Sequence, residues 1–175
     1  EELKNDILLL PSQVEETLKT AEQIQKFAHK VYKEKDMFFI GRGTDYTVAL
    51  EASLKLKEIS YIHSEAYPSG ELKHGPIALI ENDITVLSII TNPLTAPKTL
   101  SNIQEVITRG AKTFIVTNQE INHEFDEVIR IPKTNSIISP ILSIIPLQLF
   151  AYYISKEKGL DVDKPRNLAK SVTVE

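Results

Sequence analysis

Short, largely apolar runs rich in β-branched or aromatic residues alternate along this chain with longer spans of mixed polarity, and few architectures accept that order. Met37-Phe38-Phe39-Ile40, closed by Gly41, reads as a buried strand. Residues 61–66 read as a short second strand and Ile84-Thr85-Val86-Leu87-Ser88-Ile89-Ile90 as a third. Thr113-Phe114-Ile115-Val116-Thr117 and Val128-Ile129-Arg130-Ile131, the latter stopped by Pro132, complete five. Helices are predicted over about 45–60, from Pro93 and Pro97 to near Gly110, and over about 139–156 ahead of Gly159. In front of the first strand, Leu18, Ala21, Ile24, Ala28 and Val31 recur at helical steps, which predicts one helix over 12–32 with Pro11 at its start. Strand-helix alternation predicts an α/β fold: a three-layer αβα sandwich on a five-stranded parallel sheet of order 2-1-3-4-5. The chain then divides into a helical segment over 1–36, packing on or leading into a domain over 37–160, and a polar tail over 161–175. Pro165 keeps that tail an ordered loop rather than a helix.

Composition narrows the functions open to such a fold. The 175 residues suit one domain, and with 42% apolar and 25% charged residues the chain can fill a core. Lys and Arg number 20 against 24 Asp and Glu, a net charge of −4, which gives no basic footprint for nucleic acid. Without cysteine there can be no disulfide, thiolate metal site or cysteine nucleophile, which is compatible with the cytoplasm. The longest apolar stretch, 137–153, is broken by Ser139, Pro140, Ser143, Pro146 and Gln148, so no membrane span is expected. No signal peptide is evident, and an opening of Glu1-Glu2-Leu3-Lys4 without Met reads as a fragment or a processed chain.

Ligands of doubly wound sheets bind beyond the carboxyl ends of the strands, which directs attention to the loops after each strand. Gly41-Arg42-Gly43-Thr44-Asp45 lacks both the third glycine of a dinucleotide fingerprint and the Lys of a P-loop. It reads as a turn capped by Asp45, whose charge would repel a phosphate, or as a two-glycine loop that lets a phosphate approach the helix N-terminus, and the first reading is favoured. On a wheel of the following helix, Val48, Ala49, Ala52, Leu56 and Ile59 form one apolar stripe, and Leu50 with Leu54 a second. Glu51, Lys55 and Glu58 lie between them, with Ser53, Lys57 and Ser60 on a separate polar side. Such a charged stripe is either a coupled, partly desolvated acid–base group or a surface ion pair from Glu51 to Lys55. The segment 65–76 combines the stiffness of Pro68, Gly70, Gly75 and Pro76 with Glu65, Glu71, Lys73 and His74, and His74 is its natural proton carrier. His29, His63 and His123 read as surface or structural, and the four histidines show no metal-ligand spacing. In the tail, Lys170 has few competing charges nearby and is a candidate Schiff-base amine or simply a solvated lysine.

Three blocks carry a resemblance: Leu54-Lys55-Leu56-Lys57-Glu58-Ile59-Ser60-Tyr61, Glu71-Leu72-Lys73-His74-Gly75-Pro76, and Asp163-Lys164-Pro165-Arg166-Asn167-Leu168-Ala169-Lys170-Ser171-Val172-Thr173-Val174-Glu175. From about Met37 to its last residue the chain resembles the glucosamine-6-phosphate synthases, also called glutamine–fructose-6-phosphate aminotransferases. The terminal Lys-Ser-Val-Thr-Val-Glu is the most specific part. That family has a glutaminase domain and two sugar-isomerase (SIS) domains, and this chain is similar to the second SIS domain. The resemblance implies that Glu58 moves a proton between C1 and C2 of the sugar and that Lys55 supports it. It further implies that His74 opens the ring in a partner subunit's site, that Lys170 forms a Schiff base with fructose 6-phosphate, and that Ala169 binds through its backbone. The family's phosphate loop lies in the first SIS domain, in agreement with the loop at Asp45. A homodimer is implied, with fructose 6-phosphate and glucosamine 6-phosphate as ligands, the glutaminase and first SIS domains as partners, and no metal or organic cofactor. Rival readings are a non-catalytic module binding a sugar phosphate for regulation and a purely structural half. The joint presence of Glu58 and Lys170 favours the enzyme.

Overall fold

A computed structural model describes residues 2–167. Five strands, β1 (Asp36–Gly41), β2 (His63–Pro68), β3 (Thr85–Ile90), β4 (Lys112–Thr117) and β5 (Glu127–Arg130), form one parallel sheet in the order β2-β1-β3-β4-β5. The expected order is therefore found. The helices are α1 (Glu2–Leu18), α2 (Ala21–Val31), α3 (Thr44–Ser60), α4 (Ala96–Ile107) and α5 (Ser139–Glu157). Two short 3₁₀ segments, Ser69–His74 and Pro76–Leu79, link β2 to β3.

Strand alternation divides the core in two. Met37, Phe39, Leu87, Ile89, Phe114 and Val116 face a layer made by α2, α3 and α5, against which Leu10 and Val14 of α1 also pack. Phe38, Ile40, Val86, Ile90 and Ile115 face α4 and the 3₁₀ segments, from which Ile103, Val106 and Leu72 enter the second core. β3 is buried along its whole length, as the centre of a parallel sheet covered on both faces requires.

The single helix expected over 12–32 is two. The chain turns at Lys19 and Thr20, where the Thr20 hydroxyl donates to the Thr17 carbonyl at 2.7 Å. Pro11 lies inside α1 rather than at its start. The periodic residues belong to both helices, so the pattern survived the break that it could not reveal. α2 is an integral part of the core: Phe27 meets Phe114 at a ring separation of 5.2 Å and Phe150 at 6.2 Å.

A candidate functional site on helix α3

β1 delivers the chain into α3 through the turn at Gly41. The turn is so tight that a Cβ on Gly41 would lie 2.5 Å from the Asp45 carbonyl carbon. Asp45 was expected to cap the new helix, and it does not. It is buried and turns away from the helix end, accepting hydrogen bonds from the Thr91 amide at 2.9 Å and from the Thr91 hydroxyl. Thr91 follows β3, so this acid ties α3 across the point where the sheet order reverses. A buried carboxylate there disfavours a phosphate, as the sequence suggested, although the route differs.

α3 then runs back along the sheet. Lys55 and Glu58 pair at 2.8 Å, with Glu51 farther away at 3.6 Å, so the tighter partner is the i+3 carboxylate and not the i,i+4 one. The hydrogen bond to Glu58 holds the Lys55 amine above its ordinary pKa against a smaller effect of burial, so Lys55 is a cation at neutral pH. The two apolar stripes that flank the charged one on the wheel are not equivalent. Leu56 is fully buried, whereas Leu50 and Leu54 are 47% and 43% exposed. The supposed polar side is also corrected. Ser53 and Ser60 are buried, the first bonded to the Ser64 hydroxyl at 2.9 Å and the second donating to the Leu56 carbonyl at 2.6 Å, and only Lys57 of that trio is exposed.

The pair does not sit among the loops at the carboxyl edge. Glu58 is in the last turn of α3, and at ~1.5 Å per residue it lies roughly 20 Å along the axis from Thr44. His74 is exposed at the end of the segment Ser69–His74. Leu72 of that segment is in the core shared with α4, whereas α3 packs on the other core. One copy of the chain therefore holds the segment bearing His74 and the Lys55–Glu58 pair on opposite faces of the sheet.

The rigidity expected of the His74 loop has a visible cause. Ser69 Oγ and an Arg42 guanidinium nitrogen both donate to Asn102 Oδ1 at 3.1 Å, and the guanidinium lies against Gly70, where a Cβ would approach it to 2.9 Å. Sequence reasoning missed Arg42; its only signal is a cation held between two glycines. Glu65, Glu71 and Lys73 do not join His74 in one cluster. Glu65 accepts from the Tyr67 hydroxyl, and Glu71 and Lys73 are exposed. The remaining histidines have surface partners: Glu157 for His29 at 2.8 Å, Asp36 for His63 at 2.8 Å, and a stacked Phe125 for His123. Among the described residues no group of His, Asp and Glu could hold a metal ion, and no helix is long and apolar enough to cross a membrane. Ala169 and Lys170 lie outside the described residues.

The SIS domain family's sequence profile matches residues 30–155. This chain belongs to the SIS domain family. Over its whole length the SIS chain is 59% identical to part of a glutamine–fructose-6-phosphate aminotransferase (isomerizing) from Clostridium perfringens, covering 30% of that protein. Against the enzyme of the same name from Aquifex aeolicus it is 50% identical, again over all of this chain and 31% of the relative. The chain thus spans about 30% of the length of the curated relatives it matches. Among solved structures, the C-terminal domain of glucosamine-fructose-6-phosphate aminotransferase from Francisella tularensis superposes with a TM-score of 0.85 at 40% identity. That match covers 94% of this SIS chain and 46% of the other. A glucosamine-6-phosphate deaminase from Thermotoga maritima shares the fold alone, with a TM-score of 0.65 at 24% identity over 90% of this chain and 48% of that one.

Proposed function

We propose that this SIS domain is the second of the two in an enzyme making glucosamine 6-phosphate from fructose 6-phosphate and glutamine. The observation that carries the reading is the 59% identity over the entire chain to an aminotransferase of that name. An open-chain ketose offers a carbonyl at C2. The Lys170 amine adds there and water leaves, giving an imine from which ammonia, released from glutamine, displaces the lysine. A base then takes a proton from C1 and returns it to C2. Glu58 is the carboxylate for that transfer, and Lys55, cationic and 2.8 Å away, keeps positive charge beside it. Ala169 binds the sugar through its backbone.

Ring opening falls to His74. Because its segment and α3 pack on opposite faces of the sheet, we assign this step to the partner subunit's His74 in a cytoplasmic homodimer. The phosphate is held by the first SIS domain of the same chain.

The test is Glu58→Gln in the full-length enzyme. Synthase turnover is expected to fall by the ~10²–10⁴-fold typical of a lost general base, with glutamine hydrolysis nearly unchanged. Normal turnover would remove Glu58 from the mechanism. The shared site has its own check. Mixing inactive Glu58→Gln and His74→Ala subunits should restore roughly a quarter of wild-type activity, since half of a random mixture is hybrid and each hybrid has one intact site. No recovery would place His74 and Glu58 in the same subunit's site, and a His74→Ala enzyme active by itself would put His74 outside the reaction.

A further inference from the structure

α3 ends at Tyr61 in a left-handed conformation with φ of 60°, its amide bonded to the Lys57 carbonyl at 3.2 Å. Glycine or asparagine fits that C-cap position with less strain. What the tyrosine adds is a double contact with the chain's far end. Its hydroxyl accepts the Arg166 backbone N–H at 2.7 Å, and the Arg166 guanidinium lies over its ring, 4.3 Å from the centroid. The two residues are 105 positions apart. Tyr61 is one helical turn beyond Glu58, and Lys170 follows Arg166 by four residues, so chain connectivity keeps those last two within about 14 Å.

We infer that Tyr61 is a positioning residue, a clamp that fixes the start of the C-terminal tail to the end of α3 and so sets Lys170 in register with the Lys55–Glu58 pair. The inference rests on the proposed role of Lys170 for its purpose, but the clamp itself is a contact between two residues of this chain. The contacts Tyr61 makes across the fold are with Arg166. Tyr61 acts through the tail, and its two contacts are separable. Tyr61→Phe removes the acceptor and keeps the stacked ring, Tyr61→Leu removes both, and Arg166→Met removes the guanidinium and keeps the backbone donor.

The experiment uses the full-length aminotransferase with two readouts. Tryptic cleavage at the Arg166–Asn167 bond, followed by mass spectrometry, reports on the clamp. Borohydride trapping of fructose 6-phosphate on Lys170 reports on register. Tyr61→Phe should speed cleavage and lower trapping by roughly fivefold, the worth of one hydrogen bond, and Tyr61→Leu by roughly tenfold or more. Arg166→Met, which trypsin cannot cut there, should lower trapping by roughly threefold. Unchanged glutamine hydrolysis in each variant guards against misfolding. Cleavage at the wild-type rate in both Tyr61 variants overturns the clamp. Faster cleavage with wild-type trapping overturns its positioning role. If the wild-type enzyme itself gives no adduct on Lys170 while the Tyr61 variants still cleave faster, the clamp stands and the Schiff-base reading fails.

Discussion

Glu34 precedes β1 and reaches across to β3, accepting the Thr85 amide at 3.0 Å with one oxygen while Lys112 stands 3.4 Å from the other. Burial nevertheless wins and lifts its carboxyl pKa above the ordinary 4.5, against the opposing pull of Thr85 and Lys112. The native state therefore takes up this proton more readily than the unfolded chain. Stability contributed by protonated Glu34 is complete below pH 4.5 and is lost as pH rises through the raised folded value. Glu34→Gln cannot ionise, so its unfolding free energy minus that of wild type should increase with pH above 4.5 in urea titrations. A difference that shrinks with pH would mean that the ion pair outweighs burial. The sequence was legible at this scale where residues are near neighbours: it placed Glu51, Lys55 and Glu58 on one stripe, although the ion pair it named, Glu51 to Lys55, is the longer of the two. It was opaque where they are remote. Asp45 and Thr91 are 46 positions apart and Arg42 and Asn102 are 60 apart. A helical wheel gives the angle of Asp45, Ser53 or Ser60 but not what lies opposite, so two serines assigned to a polar side bond inside the protein.

Elements owe their order to burial and their exact placement to polar contacts that periodicity does not encode. α2 is held by the aromatic cluster of Phe27, Phe114 and Phe150. Truncating Phe27 to alanine should cost about 3–5 kcal/mol in equilibrium unfolding, because it removes the apolar ring and leaves a cavity that neighbouring rings can only partly fill. A cost under about 1 kcal/mol would show that α2 is peripheral. The Ser69–His74 segment behaves differently, since its brace is a flexible side chain. Gly70→Ala should push the Arg42 guanidinium aside while shifting global stability by less than about 0.5 kcal/mol. Amide hydrogen exchange over 69–75 should accelerate in that variant, and unchanged exchange would mean that Arg42 does not rigidify the loop. The five strands and three of the helices were legible because strand runs and helix stripes are local patterns. The division between α1 and α2 was not, because both share one apolar periodicity and no glycine marks the turn at Lys19 and Thr20.

At the level of the molecule, the sheet order followed from alternation, whereas the candidate site residues are distributed in a way that no strand–helix pattern reveals. Glu58 lies far from the carboxyl edge, the segment carrying His74 is on the opposite face, and the carboxyl-edge position at the sheet's reversal is filled by buried Asp45. If another domain holds the phosphate, as proposed, this chain alone should fold cooperatively, bind fructose 6-phosphate weakly and turn nothing over, since alignment of a bound substrate can supply several kcal/mol of a barrier. Calorimetric titration with a product assay decides this. Tight binding, or turnover abolished by Lys170→Ala, would show that one domain holds a complete site. The opposed faces have a further consequence in solution. If each site in the full-length enzyme draws on two subunits, synthesis per subunit must decline on dilution below the dimer's dissociation constant, following the fraction still paired, while glutamine hydrolysis holds steady. Amino-sugar output would then track protein abundance more steeply than linearly, so halving the enzyme level at low concentration would cost more than half the flux.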